Sequence, residues 1–378
     1  MSGHLRELIV DLDAIASNTE VLARRSGSAE VMAVVKADAY GHGLVPSARA
    51  ALHGGATWLG VALLDEALQL RAAGVDAPML AWLVGPGENW ADAVAANVDL
   101  SVSAPWVLDE IVAAGQQSGR RARIHLKVDS GLGRSGSPMP AWQHLVDVAR
   151  DAERNGVVEV IGVWSHLAYA DAPGHPTIDR QLATFGEALQ LAKNAGLTPQ
   201  VRHLANSAAT LTRPDTHFEL TRPGLSVYGL SPLRDAPPAE LGLRPAMSFR
   251  ARLALVKRVN AGQGVSYQHR YVTNRETTLG LVPLGYADGV PRDATNVGPV
   301  MVSGRRRTIA GVVCMDQFML DLGDDSVAAG DVVTLFGSGD DGEPTAQDWA
   351  DATGTISYEI VTRVGPRVPR RYLGGAGQ

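Results

Sequence analysis

Residues 58–84 read WLGVALLDEALQLRAAGVDAPMLAWLV. An unbroken apolar run, 58–63, gives way to a stretch whose apolar positions recur every three or four residues. After Gly74 and Pro78 a second apolar run begins. Strands that are apolar on both faces and separated by helical stretches belong to a parallel sheet covered by helices. The same alternation continues outward at VMAVV (31–35), VDLSVS (98–103), ARIHLKV (122–128), VEVIGVW (158–164), PQVRHLA (199–205) and LSVYGL (225–230). Eight such strands in about 200 residues fit an α/β fold of the (β/α)8 TIM-like barrel type. On pattern alone an open doubly wound sheet stays as the alternative, weakened because no Gly-x-Gly-x-x-Gly follows an early strand.

The texture changes at 231–245, where SPLRDAPPAELGLRP holds four prolines and reads as a linker. Beyond it MSFRARLALVKRV, TTLGLVPLGYADG, PVMVSGRRRTIAGVVC and DVVTLFG alternate as short strands, with one clear helix near 345–353. The expected division is a barrel over 1–240 and a mainly-β C-terminal domain over 241–378. The opening strand, LIVDLDAI (8–15), could pair with either.

Composition narrows the class. A net charge of −6 leaves no basic excess for nucleic acid. The single cysteine, Cys314, rules out an internal disulfide framework and suits a reducing compartment. Asp11 and Asp13 interrupt the N-terminal segment before a secretory core can develop, and no apolar run approaches the roughly 18 residues of a bilayer span. The expectation is a soluble cytoplasmic protein without membrane partner. No metal site is expected, since ligand residues at helical spacing are lacking. There are only four lysines (36, 127, 193 and 257) against thirty arginines, so a lysine inside an apolar strand calls for amine chemistry.

Lys36, in AVVKADAYGHG, ends an apolar strand; in barrels that end faces the active site. A desolvated amine there can attack an aldehyde, while the plainer reading is a lysine snorkelling to solvent. In IHLKVDSGLGRSG, alternation places His125, Lys127 and Asp129 on one face, either bonded to one another or lining a site. Arg134 follows on a glycine loop and can offer a fork to an oxyanion. His166, in WSHLAYAD, is a strand-end histidine that could equally be a satisfied core residue. Asn206 and Ser207, in HLANSAAT, read as helix N-caps or as an anion site. In TRPGLSVYG, Gly224 beside Arg222 allows close approach of backbone to a phosphate. The C-terminal half adds Tyr267 (GVSYQHRY), Tyr286 (PLGYADGVPR), Met315 (VVCMDQFM) and Tyr358 (TISYEIV) in loop-like contexts.

Taken in order, these segments resemble the alanine racemase family over about residues 8–372. The resemblance implies a homodimeric isomerase dependent on pyridoxal phosphate, which supplies D-alanine for peptidoglycan. Lys36 would carry the cofactor as a Schiff base, and Tyr40, Ser207, the backbone of Gly224 and Leu225, and Tyr358 would hold its phosphate. His166 would pack on the pyridine ring and Arg222 would face the ring nitrogen. Arg134 would contact the phenolic oxygen and the substrate carboxylate, oriented by a carbamate on Lys127. Tyr267 and Met315 would enter from the other subunit, with Tyr286 narrowing the entryway. Lys36 and Tyr267 would then serve as the two bases on opposite faces of Cα. An unperturbed phenol is only about 0.1% ionised at pH 7, roughly 4 kcal/mol from a ready base, so the second base needs help from neighbouring charge. Two departures stand out: Gln268 where the family usually has glycine, and Ser165 where threonine is more usual. The rival readings are a decarboxylase of basic amino acids, a non-catalytic cofactor-binding barrel, and a racemase of broader substrate range.

Overall fold

The computed structural model describes residues 4–375, which fall into two units. One holds residues 15–39 and 44–243; the other holds 4–14, 40–43 and 244–375.

In the first unit, parallel strands follow in the order Glu30–Val34, Trp58–Val61, Met79–Ala81, Asp99–Val102, Ala122–Asp129, Val158–Trp164 and Val201–His203. Leu220–Thr221 pairs back onto Glu30–Val34. The remaining gap is bridged where the Arg222 N–H donates to the Ala205 carbonyl at 2.9 Å. This is a nearly closed eight-stranded parallel barrel with intervening helices. Its last strand differs from the expectation, because LSVYGL is not extended: Leu225–Tyr228 is a 3-10 turn and the strand lies just before it. Pro223 has no N–H with which to prolong the ladder. The buried Tyr228 hydroxyl donates to the Val34 carbonyl at 3.0 Å and holds the apolar run as a turn.

Local sequence explains the covering helices. Pro105–Ser118 starts on proline, buries Val107, Leu108, Ile111 and Ala114 along one stripe, and stops at Gly119 with φ 66°. The strands contribute a core cluster of Met32, Trp58, Leu80, Ile161, Trp164, Val201 and Leu220, with Trp82 packed against it.

The second unit is built on a six-stranded sheet in the order Arg305–Thr308, Pro299–Val302, Val332–Phe336, Met247–Arg252, Arg6–Asp11, Arg370–Leu373. The opening strand runs antiparallel to Met247–Arg252 and parallel to Arg370–Leu373. It ends at Asp11 rather than at 15, because the Asp11 carboxylate accepts the Ala14 N–H at 2.9 Å and caps the helix Leu12–Ser26. A three-stranded sheet of Leu255–Val259, Thr277–Val282 and Phe318–Gly323 completes the β framework with a short pair, Gly264–Val265 and Tyr271–Val272. Ala346–Thr353 is helical as expected. Ser357–Thr362 is a further helix, so Tyr358 sits on a helix and not in a loop. Its buried Ser357, Ile360 and Val361 are spaced for one face. Among the described residues no helix is long and apolar enough to cross a membrane.

Candidate active site at the strand carboxyl ends

Apart from His125, which lies within its strand, the barrel-side residues singled out from the sequence stand at, or just past, the carboxyl end of a strand. Lys36 follows Glu30–Val34, and Lys127 and Arg134 lie at and after Ala122–Asp129. His166 follows Val158–Trp164, Ser207 follows Val201–His203, and Arg222 and Gly224 follow Leu220–Thr221.

The chain leaves Lys36 in an unusual way. Ala37, Asp38, Ala39 and Tyr40 have φ of 54°, 53°, 54° and 54°, a left-handed turn without a glycine. Such a conformation costs an L-residue about 1–2 kcal/mol. Three bonds impose it: the Ala37 N–H donates to Glu66 at 2.6 Å, the Leu44 N–H to Asp38 at 2.8 Å, and the Ala39 N–H to the Val35 carbonyl at 2.8 Å. Strain of this kind persists only where the surroundings over-determine it, and it gathers at functional sites.

Electrostatics set the character of the site. Burial lowers the Lys36 amine below its ordinary value; Arg134 adds to the effect and Glu66 opposes it. Lys127 is brought down to about 7, by burial first and then by Arg222 and Arg134. Its Nζ donates to Ser135 Oγ at 2.5 Å and lies 4.1 Å from the Trp164 ring centroid. Arg222 is buried and pushed down to about 9, which leaves it cationic at neutral pH. Burial and then Arg222 hold His166 well below its ordinary value, hence neutral. Among the described residues, Lys36, Lys127, Arg134 and Arg222 have no carboxylate within salt-bridge distance. His125, Lys127 and Asp129 do not pair with one another. Asp129 instead accepts the N–H groups of Gly131, Leu132 and Gly133 and so shapes the loop that carries Arg134. Converging cations without a salt-bridged carboxylate make a receptor for anionic groups.

A polar anchor lies on the two following strand ends. Asn206 is the N-cap of the short helix Ser207–Thr212, accepting the Ala209 N–H at 3.2 Å. Ser207 Oγ accepts the Gly224 N–H at 2.8 Å and the Ser226 N–H at 3.3 Å, leaving its own O–H to donate. Arg222 donates through Nη2 to the Ser165 carbonyl at 2.7 Å and the Leu204 carbonyl at 3.2 Å, and reaches His166 Nδ1 at 3.4 Å.

The second unit gathers the other residues into two places. Tyr40 and Tyr358 lie with ring centroids 6.1 Å apart, and burial, then Tyr358, pushes the Tyr40 phenol up. Tyr267, Met315 and Tyr286 sit on linked loops and are 70%, 53% and 45% exposed. Tyr286 and Ala287 donate their N–H groups to the carbonyls of Cys314 and Met315, and Ser266 Oγ donates to the Val312 carbonyl at 2.7 Å. Gly285 is required at this junction, because a Cβ there would fall 2.2 Å from the Met315 carbonyl. The Tyr267 loop is itself strained: Ser266, Gln268 and His269 have φ of 60°, 61° and 48°. At Gln268 the backbone thus has the conformation that favours glycine.

Sequence reasoning passed over several residues of the barrel site. Trp164 carries Lys127 on its ring and has Arg222 Cζ 4.9 Å from its centroid, and it stacks on His203. Glu66 fixes the Lys36 turn, also accepting the Ala62 and Leu63 N–H groups. Asp99 and His203 join His125 inside the strands. A signal existed for Asp99, a carboxylate in the middle of the apolar run VDLSVS.

Comparison with known proteins agrees with this arrangement. The descriptions "Alanine racemase, N-terminal domain" and "Alanine racemase, C-terminal domain" match residues 10–232 and 246–372. The alanine racemase of Frankia casuarinae is 63% identical over 366 residues, covering 97% of this chain and 95% of that protein. That of Salinispora tropica is 62% identical over 370 residues, covering 97% and 98%. The crystal structure of alanine racemase from Streptomyces lavendulae superimposes with a TM-score of 0.98 at 54% identity, covering 99% of this chain and 98% of that one. The chain belongs to the alanine racemase family.

Proposed function

We propose that the chain interconverts L-alanine and D-alanine in the cytoplasm, with pyridoxal phosphate held at Lys36, and so supplies D-alanine for peptidoglycan. The desolvated Lys36 amine among cations that lack a carboxylate partner carries this reading. The residues fit the cofactor: its phosphate and the substrate carboxylate bring the missing negative charge, and a lysine amine of lowered pKa suits its aldehyde. When bound, the cofactor makes the Cα proton of an amino acid acidic through conjugation.

The chain's own residues do the rest. Lys36 would hold the cofactor through its amine and would move the Cα proton on one face. Tyr267 moves it on the other. Ser207, the backbone of Gly224 and Leu225, Tyr40 and Tyr358 hold the phosphate by resemblance, and the spare Ser207 O–H supports that role. His166 packs on the ring. Arg222 would face the ring nitrogen and, because a guanidinium only donates, would leave that nitrogen unprotonated. It would thereby weaken the ring as an electron sink and disfavour side reactions such as transamination. Arg134 takes the substrate carboxylate, Met315 borders it and Tyr286 narrows the entrance.

Lys127 is the residue for a carbamate. A neutral amine attacks carbon dioxide, forming an N–C bond and losing one proton to water. The cations that disfavour its ammonium form, Arg222 and Arg134, would stabilise the anionic product. Intact mass with and without bicarbonate tests this, and an unmodified chain at high bicarbonate would refute it.

The exposure of Tyr267, Met315 and Tyr286 supports a head-to-tail homodimer in which they face the partner's cofactor. Mixing two inactive variants, Lys36→Ala and Tyr267→Phe, should restore about a quarter of wild-type racemisation, because half the dimers are mixed and each has one intact site. No recovery after subunit exchange would place both bases in one chain. Borohydride trapping of the cofactor on a residue other than Lys36 would sink the reading as a whole.

A further inference from the structure

A line of buried polar groups runs from Arg222 along the strands away from the site, and beyond Arg222 it has no part in the mechanism above. Arg222 Nη1 lies 3.0 Å from His203 Nδ1, His203 Nε2 lies 2.9 Å from His125 Nδ1, and His125 Nε2 lies 3.0 Å from Asp99 Oδ2. His125 and His203 are both 0% exposed and Asp99 is 1% exposed, so each relies on the next for its hydrogen bonds. Arg123 closes the line, donating to Asp99 from Nε at 2.6 Å and Nη2 at 3.2 Å. Burial alone would raise the Asp99 carboxyl, but the bonds from His125 and Arg123 outweigh it and hold it below the ordinary range. Room for the line is built in: His125 pairs across the sheet with Gly162, where a Cβ would fall 2.3 Å from His125 Nδ1.

The direction of every bond follows from its ends. A guanidinium has donors and no acceptor, so His203 Nδ1 must accept from Arg222. The remaining proton of a neutral His203 then sits on Nε2 and donates to His125 Nδ1. His125 in turn carries its proton on Nε2 and donates to the Asp99 carboxylate, which only accepts. Burial and the adjacent Arg222 hold His203 well below its ordinary value, in keeping with a neutral ring. We propose that Asp99 is a positioning residue for racemisation: through the fixed tautomers of His125 and His203 it presents an acceptor to Arg222 and holds the guanidinium in place. The proposal rests on the reading that Arg222 faces the cofactor nitrogen. It gives a reason for an Asp–His–His sequence inside an apolar barrel, where unpaired polar groups would be costly.

Asp99→Asn tests it with little change of shape. Arg123 can only donate, so it claims the amide oxygen at its shorter, 2.6 Å contact, which turns the NH2 toward His125 Nε2 and costs the longer, 3.2 Å bond from Arg123 Nη2. His125 must then carry its proton on Nδ1, His203 likewise, and two donors meet at Arg222. In the full-length holoenzyme labelled with 15N-histidine, wild-type His125 and His203 are expected as Nε2–H tautomers, as the bond directions require. In Asp99→Asn both become Nδ1–H. The kcat for racemisation falls about 10- to 100-fold with KM within about twofold, as expected when a buried charged donor loses its acceptor. Pyruvate released per racemisation, the mark of transamination, rises. Adding Arg123→Met lets the amide turn its oxygen to His125, and should recover both the tautomers and kcat.

A wild-type ring that is doubly protonated or Nδ1–H overturns the proposal, and this measurement needs no variant to fold. Flipped rings with unchanged kcat and pyruvate yield overturn it too, as does a kcat loss with the tautomers unmoved. A wild-type chain with no racemase activity counts against the proposed function alone, and the tautomers then still decide the relay.

Discussion

The barrel site and the tyrosine patch of the second unit solve opposite problems. Around Lys36 the chain buries cations, and it stabilises them from behind with neutral histidines, carbonyls and an indole face. Around Tyr267 it leaves a phenol, a thioether and a second phenol open to water on linked loops, of which the one carrying Tyr267 is strained. Among the described residues, the cations of the first site have no salt-bridged carboxylate, whereas Tyr267, Met315 and Tyr286 of the second stay exposed, which suits the proposed second copy. The two proposed bases thus differ in kind: Lys36 is lowered by desolvation, whereas Tyr267 stands open to water.

The largest effect should come from the buried side. Lys36→Ala removes anchor and base together and should lower kcat/KM about 10⁴-fold, with the visible absorbance of bound cofactor lost. Activity within tenfold of wild type would make the buried cations a structural cluster. Next, Tyr267→Phe should cost about 10²- to 10³-fold in racemisation. In deuterated water its proton exchange should slow far more from L-alanine than from D-alanine. Equal slowing in both directions at the exchange step would point to a single base and erase the contrast.

A smaller effect separates the regions by pH. The Lys127 amine titrates near 7 in the folded chain against 10.5 in the unfolded one. Across that window the unfolded chain binds a proton that the folded chain does not, so stability rises with pH from about 7 to 10.5 and the cost is fully present below 7. Lys127→Met in the cofactor-free chain should therefore stabilise it below pH 7 by about 1–3 kcal/mol, with the gain vanishing above pH 10.5. Thermal unfolding across that range measures it, and a gain independent of pH would mean packing and not charge. Smallest of all, Gln268→Gly should stabilise the chain by about 0.5 kcal/mol, since relief of the positive φ outweighs the added freedom of the unfolded state. If the Tyr267 loop relaxes freely, the change in Tm will be zero or negative.

How much of this was legible beforehand depends on the range of the interaction. Strand and helix alternation is local, so the barrel and the β region could be read from apolar spacing, Lys36, His166 and Ser207 from their places at strand ends, Lys127 from strand alternation, and Arg222 from the glycine near it. The eighth strand was misread because a buried apolar run looks the same whether it is extended or turned; Pro223 and the Tyr228 hydroxyl decided it. The opening strand joined the sheet of Met247–Arg252 through pairing across more than two hundred residues, which no local pattern encodes. Residue types by themselves determined that an amine, cations and phenols would be available at these positions. Only the tertiary structure decided that Lys36 is desolvated, that Asp129 shapes a loop instead of pairing with Lys127, and that Asp99, His125 and His203 line up behind Arg222. Burial and hydrogen-bond direction are properties of neighbours in space, and neighbours in space are what a sequence leaves unwritten.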